Sequence, residues 1–165
     1  DFVDRIRDRL QVPLIIKGIA TAQDARLAIQ HGADVVYVSN HGGRQLDHCL
    51  GSIEALPEVV KAVDGRAEVV VDGGFVRGTD VLKAIALGAR AVGLGKLQVW
   101  ALTAGGEKGL VRMLEILEQE ISISMGLLGI SKLDELTSDF VTQVAPVKYP
   151  GPLSPFPSIE GITRD

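Results

Sequence analysis

Residues 34–47 read DVVYVSNHGGRQLD and carry the strongest indication of the fold. An apolar run, Val35 to Val38, is followed at once by a polar loop that contains His41, two glycines and Arg44. A strand that is apolar throughout, rather than alternating with polar residues, is typical of a parallel sheet covered by helices. In parallel barrels, the loops after the strands carry the functional residues. The stretch therefore predicts a buried parallel strand that ends at a candidate site.

Outward from this stretch, a short apolar run followed by a segment of helical period occurs four times. The apolar runs cover residues 13–16, 34–38, 68–71 and 90–94, and the helical segments cover residues 21–31, 52–63, 78–87 and a long stretch after 94. Residues 1–10 (DFVDRIRDRL) resemble the last turns of a helix whose beginning is missing, which indicates a fragment or a processed chain. The domain is therefore predicted to contain four strand-helix units.

The first two units resemble the last two. Residues 16–18 (IKG) match residues 71–73 (VDG) at an offset of 55, and after a one-residue slip residues 32–36 match residues 88–92 at an offset of 56. A repeated strand-helix unit favours a (β/α)8 barrel over a doubly wound sheet. A complete barrel has eight strands and about 250 residues. Residues 1–136 are therefore predicted to form an α/β domain that is half of a TIM barrel, closed by another segment or another copy.

The end of the chain divides into a helix and a tail. Gly105 and Gly106 precede the final long helix, whose apolar residues recur every three or four positions. This stripe predicts core packing, and it consists of Leu110, Leu114, Leu117, Ile121 and Met125. After residue 136 the chain becomes rich in proline, so residues 137–165 are predicted to form an extended C-terminal tail.

Composition limits the possible partners and compartments. The net charge is −4 and no run of basic residues occurs, so nucleic acid is not an expected partner. No apolar stretch reaches the length of about 18 residues that a membrane span needs, and no signal peptide is recognisable. With Cys49 as its single cysteine, the chain cannot form an internal disulfide, which fits a reducing compartment. The sequence predicts a cytoplasmic protein without a membrane span.

Polar residues or glycines follow each predicted strand. Lys17 follows the first strand, residues 39–44 the second, residues 72–77 the third, and Gly95 with Lys96 the fourth. In a parallel barrel these four points lie on one rim, where barrel active sites are found. Glycines leave backbone N–H groups unobstructed and helix N-termini favour an anion, so the last two loops suit a phosphate. The sequence therefore predicts a positively charged site in a protein that is negative overall.

His41 and Arg44 lie three residues apart in one glycine-rich loop. Taken singly, His41 would be a structural histidine, Arg44 a surface ion-pair partner and Lys17 a lysine at a strand end. Together, Arg44 could hold a carboxylate through two hydrogen bonds while His41 reaches the adjacent carbon as a base. A metal site is the weaker alternative, because its candidate ligands match no familiar zinc spacing. Those ligands would be His41, Asp47, His48 and Cys49.

Four motifs resemble those of a known family: IIKGI, VSNHGGRQLD, VDGGFVRGTDVLKAIALGA and WALTAGGEKGL. In order and spacing they resemble the C-terminal half of the FMN-dependent 2-hydroxy-acid oxidases and dehydrogenases, such as glycolate oxidase, lactate oxidase and flavocytochrome-type lactate dehydrogenase. The resemblance covers about residues 1–136, and SNHGGRQLD is its most specific motif. It implies the C-terminal half of a TIM barrel, bound FMN, a homo-oligomer (a tetramer), and oxidation of an L-2-hydroxy acid to a 2-oxo acid.

The resemblance also implies roles for individual residues. His41 would be the catalytic base, and Arg44 would hold the carboxylate of the substrate, which both residues would contact. Lys17 would lie against the N1 and O2 edge of the flavin, and Ser39 would touch the flavin. The two glycine loops would bind the ribityl chain and the phosphate of FMN through Asp72, Gly73, Gly74, Phe75, Val76, Arg77, Gly95 and Lys96.

The chain departs from the family pattern at two positions and lacks half of it. Val76 stands where an arginine often follows DGG, and Lys96 stands where the pattern has arginine. Because lysine lacks the bidentate fork, the phosphate is expected to be held more weakly. The family's N-terminal half supplies one face of the flavin site, a tyrosine and an arginine that contact the substrate, and a carboxylate that orients the base. These residues are expected on a missing or separate segment, and a base without its orienting carboxylate is expected to lose orders of magnitude in rate.

Two alternatives stay open at this point. The chain could be a non-catalytic half-barrel that binds a phosphate ligand or assembles with a partner half. It could also perform another FMN-barrel reaction, such as that of an isomerase or a nucleotide dehydrogenase. The latter would leave His41 and Arg44 without a role. The motifs do not encode which acid is oxidised or which acceptor takes the electrons.

Overall fold

The computed structural model describes residues 2–144, so the predicted tail lies outside the described residues from position 145 onward. Strands and helices alternate along the chain, as the sequence predicts. The elements are α1 (Phe2–Arg9), β1 (Ile15–Ile19), α2 (Ala22–Gln30), β2 (Val35–Val38), α3 (Ser52–Val63), β3 (Glu68–Asp72), α4 (Gly78–Ala86), β4 (Ala91–Gly93) and α5 (Lys96–Leu128). Short 3-10 turns occur at His41–Gly43, Leu133–Glu135 and Ser138–Phe140.

The four strands form one parallel sheet in the order β1-β2-β3-β4. Sequence order and spatial order coincide, which is the arrangement of consecutive units in a barrel. Register places Lys17 beside Tyr37, Tyr37 beside Val70, and Asp72 beside Gly93. The prediction of about four parallel strand-helix units, half of a TIM barrel, is confirmed.

The two faces of the sheet differ in burial. On the outer face Val36, Val38, Val69 and Val71 are at most 5% exposed, and they pack in one core with residues of α2, α3 and α4. On the inner face Ile15 is 55% exposed, and Val35, Tyr37 and Val70 are half-buried. The inner face of the four strands is therefore left partly open, as the prediction of half a barrel requires. In a closed barrel this face is covered by the remaining strands.

The first strand begins further along the chain than the sequence predicts, and it contains more residues. It covers Ile15–Ile19 instead of residues 13–16, since Pro13 lacks the N–H that a sheet ladder uses. Lys17 therefore lies inside the strand rather than after it. The register with β2 shifts between Lys17 and Ile19, at Gly18, whose φ is +98°. This irregularity is a β-bulge, a feature that often lies next to an active site.

Helix α5 is broken where the sequence predicts the start of the final helix. Gly105 (φ −151°, ψ 17°) and Gly106 (φ 58°, ψ −145°) leave helical geometry. Beyond the break Met113 and Leu117 are buried, and Ile121 and Met125 pack against a second core cluster formed by Leu82, Ala86 and Leu136. Leu114 is 51% exposed, so its predicted place in the core stripe is wrong. Within residues 2–144, no helix combines the length and apolar content needed to cross a membrane.

Candidate active site

A groove of about 1280 Å³ lies at the carboxyl end of the sheet. It brings together ten of the twelve predicted site residues, and Ser39 and Arg77 do not line it. The ten are Lys17, His41, Arg44, Asp72, Gly73, Gly74, Phe75, Val76, Gly95 and Lys96. Among residues 2–144 no group of three or more His, Cys, Asp or Glu side chains could hold a metal ion.

Lys17 crosses the inner face of the sheet. Its Nζ lies 2.8 Å from Oδ2 of Asp72, which is two strands away, and 4.8 Å from the centre of the Tyr37 ring on the strand between. Adjacent strands are about 4.8 Å apart, so a lysine is long enough to span from β1 to β3 over the aromatic ring. The Lys17 side chain is therefore held in one direction, with its ammonium group at the floor of the groove.

Ser39 lies beneath the groove and is 2% exposed. Its Oγ accepts a hydrogen bond from Nζ of Lys17 at 2.8 Å and another from the backbone N–H of His41 at 3.1 Å. One buried hydroxyl thus ties the cation on β1 to the loop that carries the imidazole. The sequence singles out Ser39 for a contact with flavin but gives no indication of this connecting role.

The loop after β2, residues 40–44, carries His41 and Arg44 in an unusual backbone conformation. Three consecutive residues have positive φ: His41 (56°), Gly42 (70°) and Gly43 (70°). The side chain of Asn40 accepts from the N–H of Gly42 at 3.1 Å and stabilises the turn. His41 and Arg44 are exposed, and the Arg44 guanidinium forms no hydrogen bond or ion pair with residues 2–144. Both side chains are available to a small anionic ligand.

The loop after β3 is more firmly held. Asp80 accepts from the backbone N–H groups of Val76 and Arg77 through Oδ2, at 3.2 Å and 3.0 Å, and caps α4. Phe75 is 6% exposed and belongs to the main core. Gly74, by contrast, has φ of +87° and nothing within 4 Å of the position a Cβ would occupy. The loop therefore has a fixed backbone and an open surface, which suits an anion.

Lys96 connects the start of α5 to the loop after β2. Its Nζ donates to the carbonyl oxygen of Gly42 at 2.9 Å, so the cation at the start of α5 lies against the loop that carries His41. Gly95, which precedes Lys96, has nothing within 4 Å of its Cβ position. Backbone N–H groups, an open surface and an ammonium group thus lie at the same end of the groove.

Arg77 points away from the groove. Its Nε donates to Oε1 of Glu120 at 2.7 Å, and the N–H of Gly78 donates to Oε2 of the same carboxylate at 2.7 Å. A Cβ at Gly78 would lie 2.6 Å from Cβ of Glu120, so α4 and α5 touch closely here. In this structure Arg77 links two helices. A charged partner 43 residues further along the chain has no signal in a single sequence.

Tyr37 is the site residue that the sequence analysis overlooked. Burial, followed by the charge of Asp72 and a hydrogen bond to it, raises the pKa of the Tyr37 hydroxyl above 10.0. A side chain at Gly93 would collide with this hydroxyl. The sequence contained an indication of this role, because Tyr37 is the one residue of the run VVYV with a polar side-chain atom, and it lies beside Lys17 in register.

Asp72 has one satisfied and one unsatisfied oxygen. Oδ2 forms the ion pair with Lys17, whereas Oδ1 is buried and has no hydrogen-bond partner within residues 2–144. A buried carboxylate oxygen without a partner is costly, so this atom indicates a ligand that donates a hydrogen bond. The groove thus combines an imidazole, two cations at its floor and rim, a guanidinium and one acceptor.

Comparison with known proteins identifies the family. The family model for FMN-dependent dehydrogenases matches residues 1–143. An L-lactate oxidase from Nostoc sp. is 43% identical over 141 residues, which are 86% of this chain and 39% of the relative. A glycolate oxidase from Spinacia oleracea is 48% identical over 130 residues, which are 79% of this chain and 35% of the relative. The chain therefore spans little more than a third of the length of these relatives.

Solved structures agree with this assignment. A mandelate oxidase with (S)-4-hydroxymandelic acid matches with a TM-score of 0.78 and 47% identity, over 81% of this chain and 38% of that chain. A mandelate oxidase variant with a monooxide FMN adduct matches with the same TM-score and identity, over 81% of this chain and 43% of that chain. Because the family model covers most of the sequence, the chain belongs to the FMN-dependent dehydrogenase family.

Proposed function

We propose that this chain supplies the base, the carboxylate-binding group and the FMN-binding residues for oxidation of an L-2-hydroxy acid to a 2-oxo acid. Family membership and relatives named lactate oxidase and glycolate oxidase support this reaction. The observation that carries the proposal is the shared groove, which is lined by Lys17, His41, Arg44 and both glycine loops. Another FMN-barrel reaction would leave the pair of His41 and Arg44 unused.

The residues present fit FMN. The unsatisfied Oδ1 of Asp72 can accept from a ribityl hydroxyl. An ammonium group has three N–H donors, and that of Lys17 uses two on Asp72 and Ser39, so the third is free for the N1 and O2 edge of the flavin. The open backbone at Gly74 and Gly95, together with Lys96, suits the phosphate. When bound, FMN accepts the two electrons that leave the substrate.

In the proposed reaction Arg44 binds the substrate carboxylate with its planar fork, which fixes the α-carbon beside His41. An imidazole nitrogen of His41 takes a proton from the substrate, from the α-carbon or from the hydroxyl, and holds it until the 2-oxo acid leaves. Lys17 offsets the negative charge that develops at the floor of the groove. Ser39 keeps the cation and the backbone of the base at a fixed separation.

We infer that the remaining strands of the barrel come from another segment, as the half-exposed inner face and the partial coverage of the relatives both suggest. That segment would complete the flavin site and orient the base, and the assembled enzyme would be a homo-oligomer. The second candidate, a non-catalytic half-barrel that binds a phosphate ligand or a partner half, is favoured by the exposure of His41 and Arg44.

The experiment uses the completed barrel loaded with FMN. Addition of 2-hydroxy acids under anaerobic conditions should bleach the flavin absorbance, and His41→Gln should slow bleaching by about 10³-fold with FMN still bound. Arg44→Met should mainly raise the substrate concentration required, because it removes the carboxylate contact. His48→Asn, at an exposed histidine outside the groove, is the matched control and should leave the rate unchanged. Bound flavin that no 2-hydroxy acid bleaches would favour the non-catalytic half-barrel.

A further inference from the structure

We propose that two strand-end glycines, Gly18 and Gly73, are positioning residues that hold the loop of residues 40–44 from both sides and thereby direct the His41 imidazole. The inference rests on the proposed role of His41 as the base. Neither glycine has a side chain, and the loop can lie against each of them because no Cβ occupies the space. Each glycine lies at the end of a strand next to β2, Gly18 in β1 and Gly73 directly after β3.

Gly18 makes room for the imidazole itself. A Cβ at Gly18 would lie 2.9 Å from Cε1 of His41, closer than carbon atoms approach without displacement, and 3.5 Å from Nε2, which is an ordinary contact. The ring therefore lies directly on the backbone of β1, next to Lys17. Because the β-bulge sets the height of this backbone, it also sets the height of the ring above the floor of the groove.

Gly73 makes room for the base of the loop on the opposite side. A Cβ there would lie 2.8 Å from Oγ of Ser52 and 3.0 Å from Oδ1 of Asn40. These two atoms hold the turn, since Ser52 Oγ accepts from the N–H of Asn40 and Asn40 Oδ1 accepts from the N–H of Gly42. A side chain at position 73 would therefore push the turn toward β1 and displace His41 indirectly.

The internal repeat relates the contacts of Gly18, in the first strand-helix unit, to those of Gly73, in the third. Gly18 and Gly73 occupy equivalent positions at the 55-residue offset, and their φ angles of +98° and +100° are nearly equal. The repeated backbone thus presents the same gap on either side of β2, the strand that carries the base. Hydrogen bonds with Ser39, Asn40 and Lys96 hold the backbone of this loop. The His41 side chain is exposed, so the direction of its ring depends on the backbone beside it.

Gly88 provides a matched control. Its φ is also +98°, and a Cβ there would lie 2.7 Å from Cγ1 of Val60, so Gly88→Ala imposes similar backbone strain and a similar overlap. The site of this overlap is the other end of the sheet, away from the groove. Any effect shared by Gly18→Ala and Gly88→Ala therefore reports stability, and any effect confined to Gly18→Ala or Gly73→Ala reports the loop.

The test is the Cε1–H resonance of His41 in a proton-carbon NMR spectrum of the full chain without cofactor. The chain has three histidines, so His41→Gln assigns the signal. Gly18→Ala should shift this resonance most, Gly73→Ala less, and Gly88→Ala should leave it at its original position. An unmoved His41 signal in folded Gly18→Ala would overturn the proposal. The readout needs neither FMN nor turnover, so failure of the proposed reaction and failure of the glycine contact are separate results.

A stability cycle keeps the proposal testable if Gly18→Ala folds poorly. His41→Ala removes the ring that the new methyl group would meet, so the Tm loss caused by Gly18→Ala should be smaller in the His41→Ala background. Equal losses in both backgrounds would overturn the contact. In the completed barrel, Gly18→Ala should lower kcat by about 10²-fold with unchanged flavin content, the cost of a base misplaced by about 1 Å.

Discussion

The outer and inner faces of the same four strands have opposite characters. On the outer face Val36, Val38 and Val71 are fully buried under helices. On the inner face Lys17, Tyr37 and Asp72 form a polar line across three strands, joined by an ion pair and a ring contact. One residue step along a strand exchanges these environments, because successive side chains point to opposite faces. The outer face stabilises the fold, and the inner face holds polar and charged side chains of the candidate site.

The sharpest test of this contrast uses two adjacent valines. Val71→Asp places a carboxylate in the apolar core, and the cost of several kcal/mol should unfold a domain whose total stability is about 5–15 kcal/mol. Val70→Asp, on the half-buried inner face, should leave the chain folded. Circular dichroism during thermal unfolding measures both. Equal loss of structure in the two variants would contradict the distinction between the faces.

The next largest effect is expected for the cation of the inner face. Lys17→Met leaves the Asp72 carboxylate without its ion pair and removes the proposed donor to the flavin, so FMN affinity of the completed barrel should fall about 10- to 100-fold. Lys17→Arg keeps the charge and should lose less. Quenching of flavin fluorescence on titration measures both affinities. An unchanged affinity for Lys17→Met would show that the ammonium group does not face the flavin.

Two buried serines allow a smaller comparison. Ser39→Ala removes the acceptor for Nζ of Lys17 and for the N–H of His41, and should cost about 1–3 kcal/mol. Ser52→Ala removes the acceptor for one N–H, that of Asn40 at 3.3 Å, and should cost about 1 kcal/mol or less. Urea denaturation at neutral pH gives both free energies of unfolding. A larger loss for Ser52→Ala would mean that Ser39 does not join the two groups.

The smallest effect is expected from an acid far from the groove. The backbone N–H of Leu14, and then the Arg7 guanidinium, hold the pKa of Asp34 below its usual 3.8. Since the folded pKa is lowered, this stabilisation is complete above pH about 4 and is lost as the pH falls through the lower folded value. Asp34→Asn should therefore show a shallower decline of Tm in acid than the unaltered chain. Arg7→Gln, which keeps the Leu14 contact, should lie between them, and identical acid profiles would contradict this account.

Much of the fold could be predicted from the sequence, because periodicity reports which residues need burial. Helix 52–63 agrees with the structure to the residue, and β2 and β3 differ from their predicted bounds by a single residue. The errors have physical causes. β1 begins later than predicted, because Pro13 lacks the N–H that a sheet ladder uses. Leu114 lies at the edge of the apolar stripe of α5 and faces outward.

The site was predictable where residue type alone suggests chemistry. Lys17, His41 and Arg44 were identified from their places near strand ends, and all three line one groove. Contacts between distant residues were not predictable, such as Arg77 with Glu120 or Lys96 with the carbonyl of Gly42. Pairings of this kind depend on the relative placement of elements, which no local pattern encodes. The importance of Gly18 is equally hidden, since its effect arises from an absent side chain.

Within residues 2–144, β1 and β4 each pair with a neighbouring strand on one side alone. Their outward rows of N–H and C=O groups are therefore a template on which a further strand can be added, including a strand of an identical molecule. Self-association through these rows increases with protein concentration. A dilution series by light scattering should accordingly precede every titration suggested above, so that the addition of strands is not mistaken for the binding of ligand.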